Sequence, residues 1–177
     1  NSGGFYIYGR SSADTTLDEL TGKSIHSAGD VNGDGISDFI IGAPDSDPAG
    51  GADAGRTYVV FGKSTGAISL RDVANGTGGF VVLGETSGDR SGASVSSAGD
   101  VNGDGLADLI IGASHSTNGK GRSYVVYGKT DTAFVDLSKV AGSTGGFALS
   151  GNCDADQAFV VSNAGDVNGD GYADLLI

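Results

Sequence analysis

Three times in 177 residues the chain spells Asp-Val-Asn-Gly-Asp-Gly-x-x-Asp, starting at Asp30, Asp100 and Asp166. Each copy packs hard oxygen donors into nine residues: Asp30, Asn32, Asp34 and Asp38 in the first, Asp100, Asn102, Asp104 and Asp108 in the second, Asp166, Asn168, Asp170 and Asp174 in the third. Position six is glycine, where the backbone must turn sharply, and position seven (Ile36, Leu106, Tyr172) offers its carbonyl. Ca²⁺ takes roughly six to eight oxygens at loose geometry, so five protein ligands complete a shell once one carboxylate is bidentate or a water joins. Mg²⁺ keeps its water and fits so many protein oxygens poorly. The expectation is about three Ca²⁺ per chain.

An EF-hand shares the first six positions but needs a bidentate Glu at position twelve and an exiting helix. Here position twelve is Ile41, Ile111 and Ile177, and the exits are short β-rich apolar runs. The loops are therefore read as strand-to-strand turns. Asp-Gly and Asn-Gly are also ordinary hairpin residues that need no metal. Three copies sharing every donor position weigh against that plainer reading.

The repetition extends past the loops, with loop starts 70 and 66 residues apart. A polar strand precedes each loop: Gly22 to Gly29, Gly92 to Gly99, and Ala158 to Gly165. An apolar strand follows it, then a variable polar loop and a third strand, Arg56 to Lys63 or Arg122 to Lys129. A fourth strand opens on Gly-Gly-Phe at Gly3, Gly78 and Gly145. Four strands per repeat joined in sequence describe one β-propeller blade. The fold class expected is all-β, a propeller segment of four-stranded antiparallel blades, as a single domain with repeats 3–77, 78–144 and a truncated 145–177.

These residues resemble the FG-GAP repeat family, the calcium-loop blades of integrin α-subunit propellers and of many secreted bacterial proteins. The likeness rests on Asp-x-Asn-x-Asp-Gly-x-x-Asp, on Ile40-Ile41-Gly42-Ala43-Pro44 after it, and on the later Gly55-Arg56-Thr57-Tyr58-Val59-Val60-Phe61-Gly62. Departures are Ser114 in place of Pro44, and Ala158 and Val160 where the earlier repeats have Gly and Ser, which leaves the third blade's inner strand less defined. The resemblance implies a parent fold of about seven blades. By strand count the chain holds two full blades with partial ones at each end, so it reads as a piece of a longer protein or one closed by association. Unpaired strand edges invite pairing, either with the rest of a parent protein or with a second copy to make a six-bladed ring.

The net charge is −12, and nine of the twenty-two acidic residues are loop aspartates. Three bound Ca²⁺ would halve that charge; without metal the crowded carboxylates oppose the turn. At a Kd near 10⁻⁴ M, typical of extracellular modules, roughly 1 mM Ca²⁺ contributes about 1.4 kcal/mol per site and about 4 kcal/mol for three. Such sites stay empty at cytosolic calcium, so the expected location is extracellular or cell-surface. The single Cys153 forms no intrachain disulfide, and the sequence holds no membrane-spanning run. Thirty-three glycines supply turns between short strands rather than disorder.

Ten scattered basic residues on an acidic chain exclude nucleic acid, which demands a basic patch. In an up-and-down blade the variable second-to-third and fourth-to-first connections share the face opposite the Asp-rich loops. They carry Arg10, Asp45, Asp47, Asp53, Arg90, His115, Asp154 and Asp156, and loops on a rigid scaffold commonly carry recognition. The resemblance implies that a protein or glycan ligand docks on this face. His115 is read as an exposed loop residue, and His26 as a hydrogen-bonded core residue on the inner strand beside the central channel. No spacing puts a nucleophile beside a base, and Arg10, Lys23, Arg90 and Lys120 show no clustering of the kind a polysaccharide lyase would use. Leu70 to Ala74 and Leu137 to Ala141 repeat as Leu-x-x-Val-Ala, one packed helical turn. The preferred reading is a non-enzymatic calcium-binding adhesion or recognition module; the alternative is a carbohydrate-binding propeller or part of a secreted polysaccharide-active enzyme.

Overall fold

The computed structural model describes residues 5–9, 21–48, 51–63, 66–116, 120–151 and 159–177. Gly3, Arg10, Cys153, Asp154, Asp156 and Ala158, singled out above, lie outside the described residues.

Hydrophobic runs cut by glycine turns produce short strands. The first blade has β1 (Phe5–Tyr8) before it and consists of β2 (Ser24–Gly29), β3 (Asp38–Ala43) and β4 (Arg56–Val60), then β5 (Gly66–Ser69), helix α1 (Leu70–Ala74) and β6 (Gly79–Leu83). The second repeats this with β7 (Ser91–Gly99), β8 (Asp108–Ala113), β9 (Arg122–Val126), β10 (Val135–Asp136), α2 (Leu137–Ala141) and β11 (Gly146–Ser150). The third begins with β12 (Ser162–Gly165) and β13 (Asp174–Leu176). Antiparallel ladders run β2–β3–β4–β6 and β7–β8–β9–β11 in chain order, and β12 pairs with β13. These are the four-stranded blades of an all-β propeller segment.

One feature was not anticipated. The short β10 pairs in parallel with β6 of the preceding blade, Val135 facing Val82, and β5 pairs in parallel with β1, Phe5 facing Gly66. The third-to-fourth connection of the second blade thus lends a fifth strand to the first, and that of the first blade pairs with β1 in a two-stranded sheet. The helical turns follow directly: Ser69 caps α1 by accepting the Asp72 N–H, Asp136 caps α2 by accepting the Ser138 N–H, and Leu70, Val73, Leu137 and Val140 are buried.

The main core lies between blades. Ile40, Val59, Phe80 and Val82 of the first pack with Val95, Leu109, Ile111, Tyr124 and Val126 of the second. β8 is therefore buried along its whole length, as expected of a strand covered on both faces. The blades approach so closely that a Cβ on Gly42 would lie 2.0 Å from the Gly92 carbonyl oxygen, and one on Gly112 would lie 1.9 Å from that of Phe159. This is the physical reason for the glycine in each Ile-Ile-Gly. His26 departs from expectation: it is exposed, with Nδ1 2.9 Å from the Ser27 carbonyl oxygen.

Candidate metal centre

Each Asp-rich loop joins the first and second strands of a blade, as β2 to β3, β7 to β8 and β12 to β13. The loop is organised around its first carboxylate. Asp30 accepts the Gly33 and Asp34 N–H groups through Oδ1 (2.8 and 3.0 Å) and the Gly35 N–H through Oδ2 (2.8 Å). Asn32 Oδ1 accepts the Asp34 N–H at 2.9 Å, and Asp34 Oδ1 accepts the Ile36 N–H at 2.8 Å. Asp100 and Asp166 draw the same web. Gly35 at φ 85°, matched by Gly105 and Gly171, supplies the left-handed turn that a side chain would strain.

Position nine does something different. Asp38 is fully buried, and its carboxylate accepts the Val31 N–H and the Gly62 N–H, both at 2.8 Å. Asp108 does the same with Val101 and Gly128, and Asp174 accepts the Val167 N–H at 2.7 Å. Burial pushes the Asp38 carboxyl up to about 6, opposed by its two backbone N–H partners and reinforced by Asp34 and Asp30. Asp108 is raised by the same cause.

Among the described residues no group of three or more Asp, Glu, His or Cys side chains converges as a metal cluster; the carboxylates at positions one and five instead accept from N–H groups of their own loop, and Asp38 and Asp108 also accept from Gly62 and Gly128 beyond it. The donor chemistry still fits a hard cation. A carboxylate has about four acceptor positions; Asp34 uses two of them, for Ile36 N–H and the Asn32 amide, and Asp38 uses two. No described Lys, Arg or His is paired with these aspartates.

Successive loops touch. The Ala107 N–H donates to the Asp30 carbonyl at 2.9 Å, and the Lys129 N–H to the Val31 carbonyl at 3.0 Å. Leu106 lies against Gly33, and Tyr172 against Gly103. Position seven thus packs its side chain on the preceding loop.

On the opposite face three of the described loop charges, Asp45, Asp47 and Arg90, are engaged. Arg90 Nε is 3.5 Å from Asp45 Oδ1, and Asp47 accepts the Asp53 N–H at 2.7 Å. Glu85, just after the first blade, accepts Arg122 Nη1 (2.7 Å) and the Tyr124 hydroxyl (2.6 Å) of the second. Burial, with Glu85 beside it, holds the Tyr124 phenol well above its ordinary range. His115 is exposed as expected, its Nδ1 2.8 Å from Ser114 Oγ, and no carboxylate among the described residues bonds the ring. The sequence reading missed the Asp38 clasp and the Glu85 network. The repeated Phe61-Gly62-Lys63 and Tyr127-Gly128-Lys129 were the visible trace of the first.

The FG-GAP repeat model matches residues 24–60 and 91–126, each spanning an Asp-rich loop and the three strands around it. The chain carries FG-GAP repeats. It is 29% identical over 174 residues to integrin alpha-4 of Xenopus laevis, a match covering 92% of this chain and 15% of that protein. It is 33% identical over 162 residues to integrin alpha-PS2 of Drosophila melanogaster, covering 79% of this chain and 11% of the other. A phosphatidylinositol-glycan-specific phospholipase D of Rattus norvegicus is 29% identical over 161 residues, covering 86% of this chain and 18% of the enzyme. These FG-GAP repeats therefore correspond to a small part of much longer relatives.

Proposed function

We propose that the chain is a calcium-stabilised, non-enzymatic recognition module of the integrin α type, working outside the cell or at its surface. The observation that carries it is the nine-residue loop written three times with one hydrogen-bond web and no described cation paired to its carboxylates. In this reading each loop holds one Ca²⁺ through the side chains at positions one, three, five and nine and the carbonyl at seven. The bound ion neutralises the crowded carboxylates and fixes the turn between the first two strands of a blade. Its protein ligand meets the opposite face, where the variable connections lie. No helix among the described residues is long and apolar enough to cross a membrane.

Calorimetric titration of the chelated chain with Ca²⁺ tests the reading: three sites and a raised melting temperature are expected. Absence of binding at roughly 1 mM Ca²⁺, the range of weak extracellular modules, would refute it. A second reading, a non-catalytic module attached to a secreted enzyme, draws on the likeness to the phospholipase D. Assay of a longer parent chain for cleavage of a glycan-linked lipid distinguishes the two.

A further inference from the structure

The cations that look scattered in sequence are not all scattered in space. On the face opposite the Asp-rich loops, Lys23, Arg90 and His115 surround one cleft of about 200 Å³, with Pro44, Ala93 and Phe159 forming its other walls. Repetition of the blade explains the place. Lys23, Ala93 and Phe159 hold the same position in three successive repeats, at the entry to each inner strand. The close approaches of Gly42 to Gly92 and of Gly112 to Phe159 draw those entries together.

The cleft is built by backbone bonds. The Arg90 N–H donates to the Asp53 carbonyl at 2.9 Å, holding Arg90 at φ 55°, and the His115 N–H donates to the Asp89 carbonyl at 3.1 Å. A non-glycine residue in that backbone region is strained, and such residues gather at binding sites. Lys23 is exposed, and no described residue pairs with its ammonium. Among the described residues Arg90 pairs through Nε with Asp45, which leaves its terminal nitrogens available to a ligand. His115 keeps Nε2 after Nδ1 meets Ser114.

These groups donate hydrogen bonds around a volume below the ~300 Å³ at which pockets begin to hold whole small molecules. It suits one functional group presented by something larger. A guanidinium fork matches a carboxylate in two parallel bonds, and Phe159 and Pro44 give the neighbouring atoms an apolar wall. We propose that this cleft receives an Asp or Glu side chain of a protein partner. The inference deepens the recognition reading above and rests on it. A sugar chain is disfavoured because the cleft offers one partly buried ring, Phe159, and no row of exposed aromatic platforms. The chain as a whole carries a net charge of −12, so an acidic partner needs a local gathering of basic side chains such as this cleft provides.

The test is a ¹⁵N NMR titration of the 177-residue chain, in calcium buffer, with the peptide acetyl-Gly-Gly-Asp-Gly-Gly-amide and its Asn counterpart. The Asp peptide is expected to shift the Arg90 Nε–H and the amides of Ala93 and His115, and the Asn peptide to bind about tenfold more weakly, since a neutral amide loses the charge-assisted bonds. The double variant Lys23→Gln/Arg90→Gln should lose those shifts while keeping the amide spectrum of the Asp-rich loops. Equal shifts by both peptides, no shift with either, unchanged binding by the folded double variant, or a tetragalacturonate that outcompetes the peptide would each overturn the proposal. Calcium-dependent melting of the same sample separates the failures. A folded, calcium-responsive chain with a silent cleft sinks this inference alone, whereas indifference to calcium sinks the reading beneath it.

Discussion

The buried carboxylate of Asp38 accepts the backbone N–H of Gly62 at 2.8 Å, a bond spanning 24 residues that ties the Asp-rich loop to the end of the third strand. Its other oxygen takes Val31. Gly62 has no room for a side chain, since a Cβ there would lie 2.3 Å from the Ser37 carbonyl oxygen. Asp38→Asn offers one acceptor where two N–H groups need them, and a buried donor left unmet costs about 1–3 kcal/mol. Urea unfolding in chelator should show that loss with no metal present. An unchanged midpoint would make Asp38 a ligand only, with no structural part as a clasp.

Asp34 is the contrasting position. It is exposed and bonds only within its own loop, to the Ile36 N–H and the Asn32 amide. Asp34→Ala should therefore fold normally in chelator yet lose one of three calcium sites. In roughly 1 mM Ca²⁺ it should also lose about 1.4 kcal/mol of stabilisation if the site has a Kd near 10⁻⁴ M. Three undiminished sites in a calorimetric titration would show that the ligands have been assigned wrongly.

The blade strands are legible in the sequence because each is a short apolar run closed by glycine and written at least twice in the same order. Local text also contains Leu70 to Ala74 and Leu137 to Ala141, whose Leu-x-x-Val spacing is itself the signal of a buried turn. The parallel pairings of β5 and β10 are not legible: Val135–Asp136 is two residues long, and its partner belongs to another blade. Asp38 is hidden for a different reason. A buried Asp that accepts two N–H groups and an Asp that binds a cation are written with the same letter in the same place. Lys23, Arg90 and His115 lie far apart along the chain, and only the stacking of blades brings them to one cleft.

Close stacking of blades yields a sharp ordering among glycine substitutions. A Cβ at Gly42 would lie 2.0 Å from the Gly92 carbonyl oxygen, a backbone atom that can move only if the blades part. Overpacking a close-packed interior costs about 1–3 kcal/mol and occasionally more, so Gly42→Ala should reach or exceed the upper end of that range. Gly35→Ala meets nothing within 4 Å and pays only for its left-handed backbone at φ 85°, about 1–2 kcal/mol. Thermal melts of both variants in chelator check the ordering, and it fails if Gly35→Ala is the more damaging.

Asp89 gives the fold a measurable pH dependence away from the Asp-rich loops. It is 6% exposed, and burial raises its carboxyl above the ordinary range despite hydrogen bonds from Ser116 and Thr86, with Glu85 adding to the rise. A carboxyl raised on folding binds its proton more tightly in the native chain. Stability from that protonation is fully present below the unfolded value of about 3.9 and is lost as pH rises through the folded one. Asp89→Asn keeps an acceptor for these bonds and never becomes charged, so it escapes the loss. The stability of Asp89→Asn relative to the native chain should therefore increase from about pH 4 upward and level off once the pH has passed the raised folded value. Urea unfolding of both proteins across that range measures the difference, and a flat or declining difference would mean that the buried charge carries no cost.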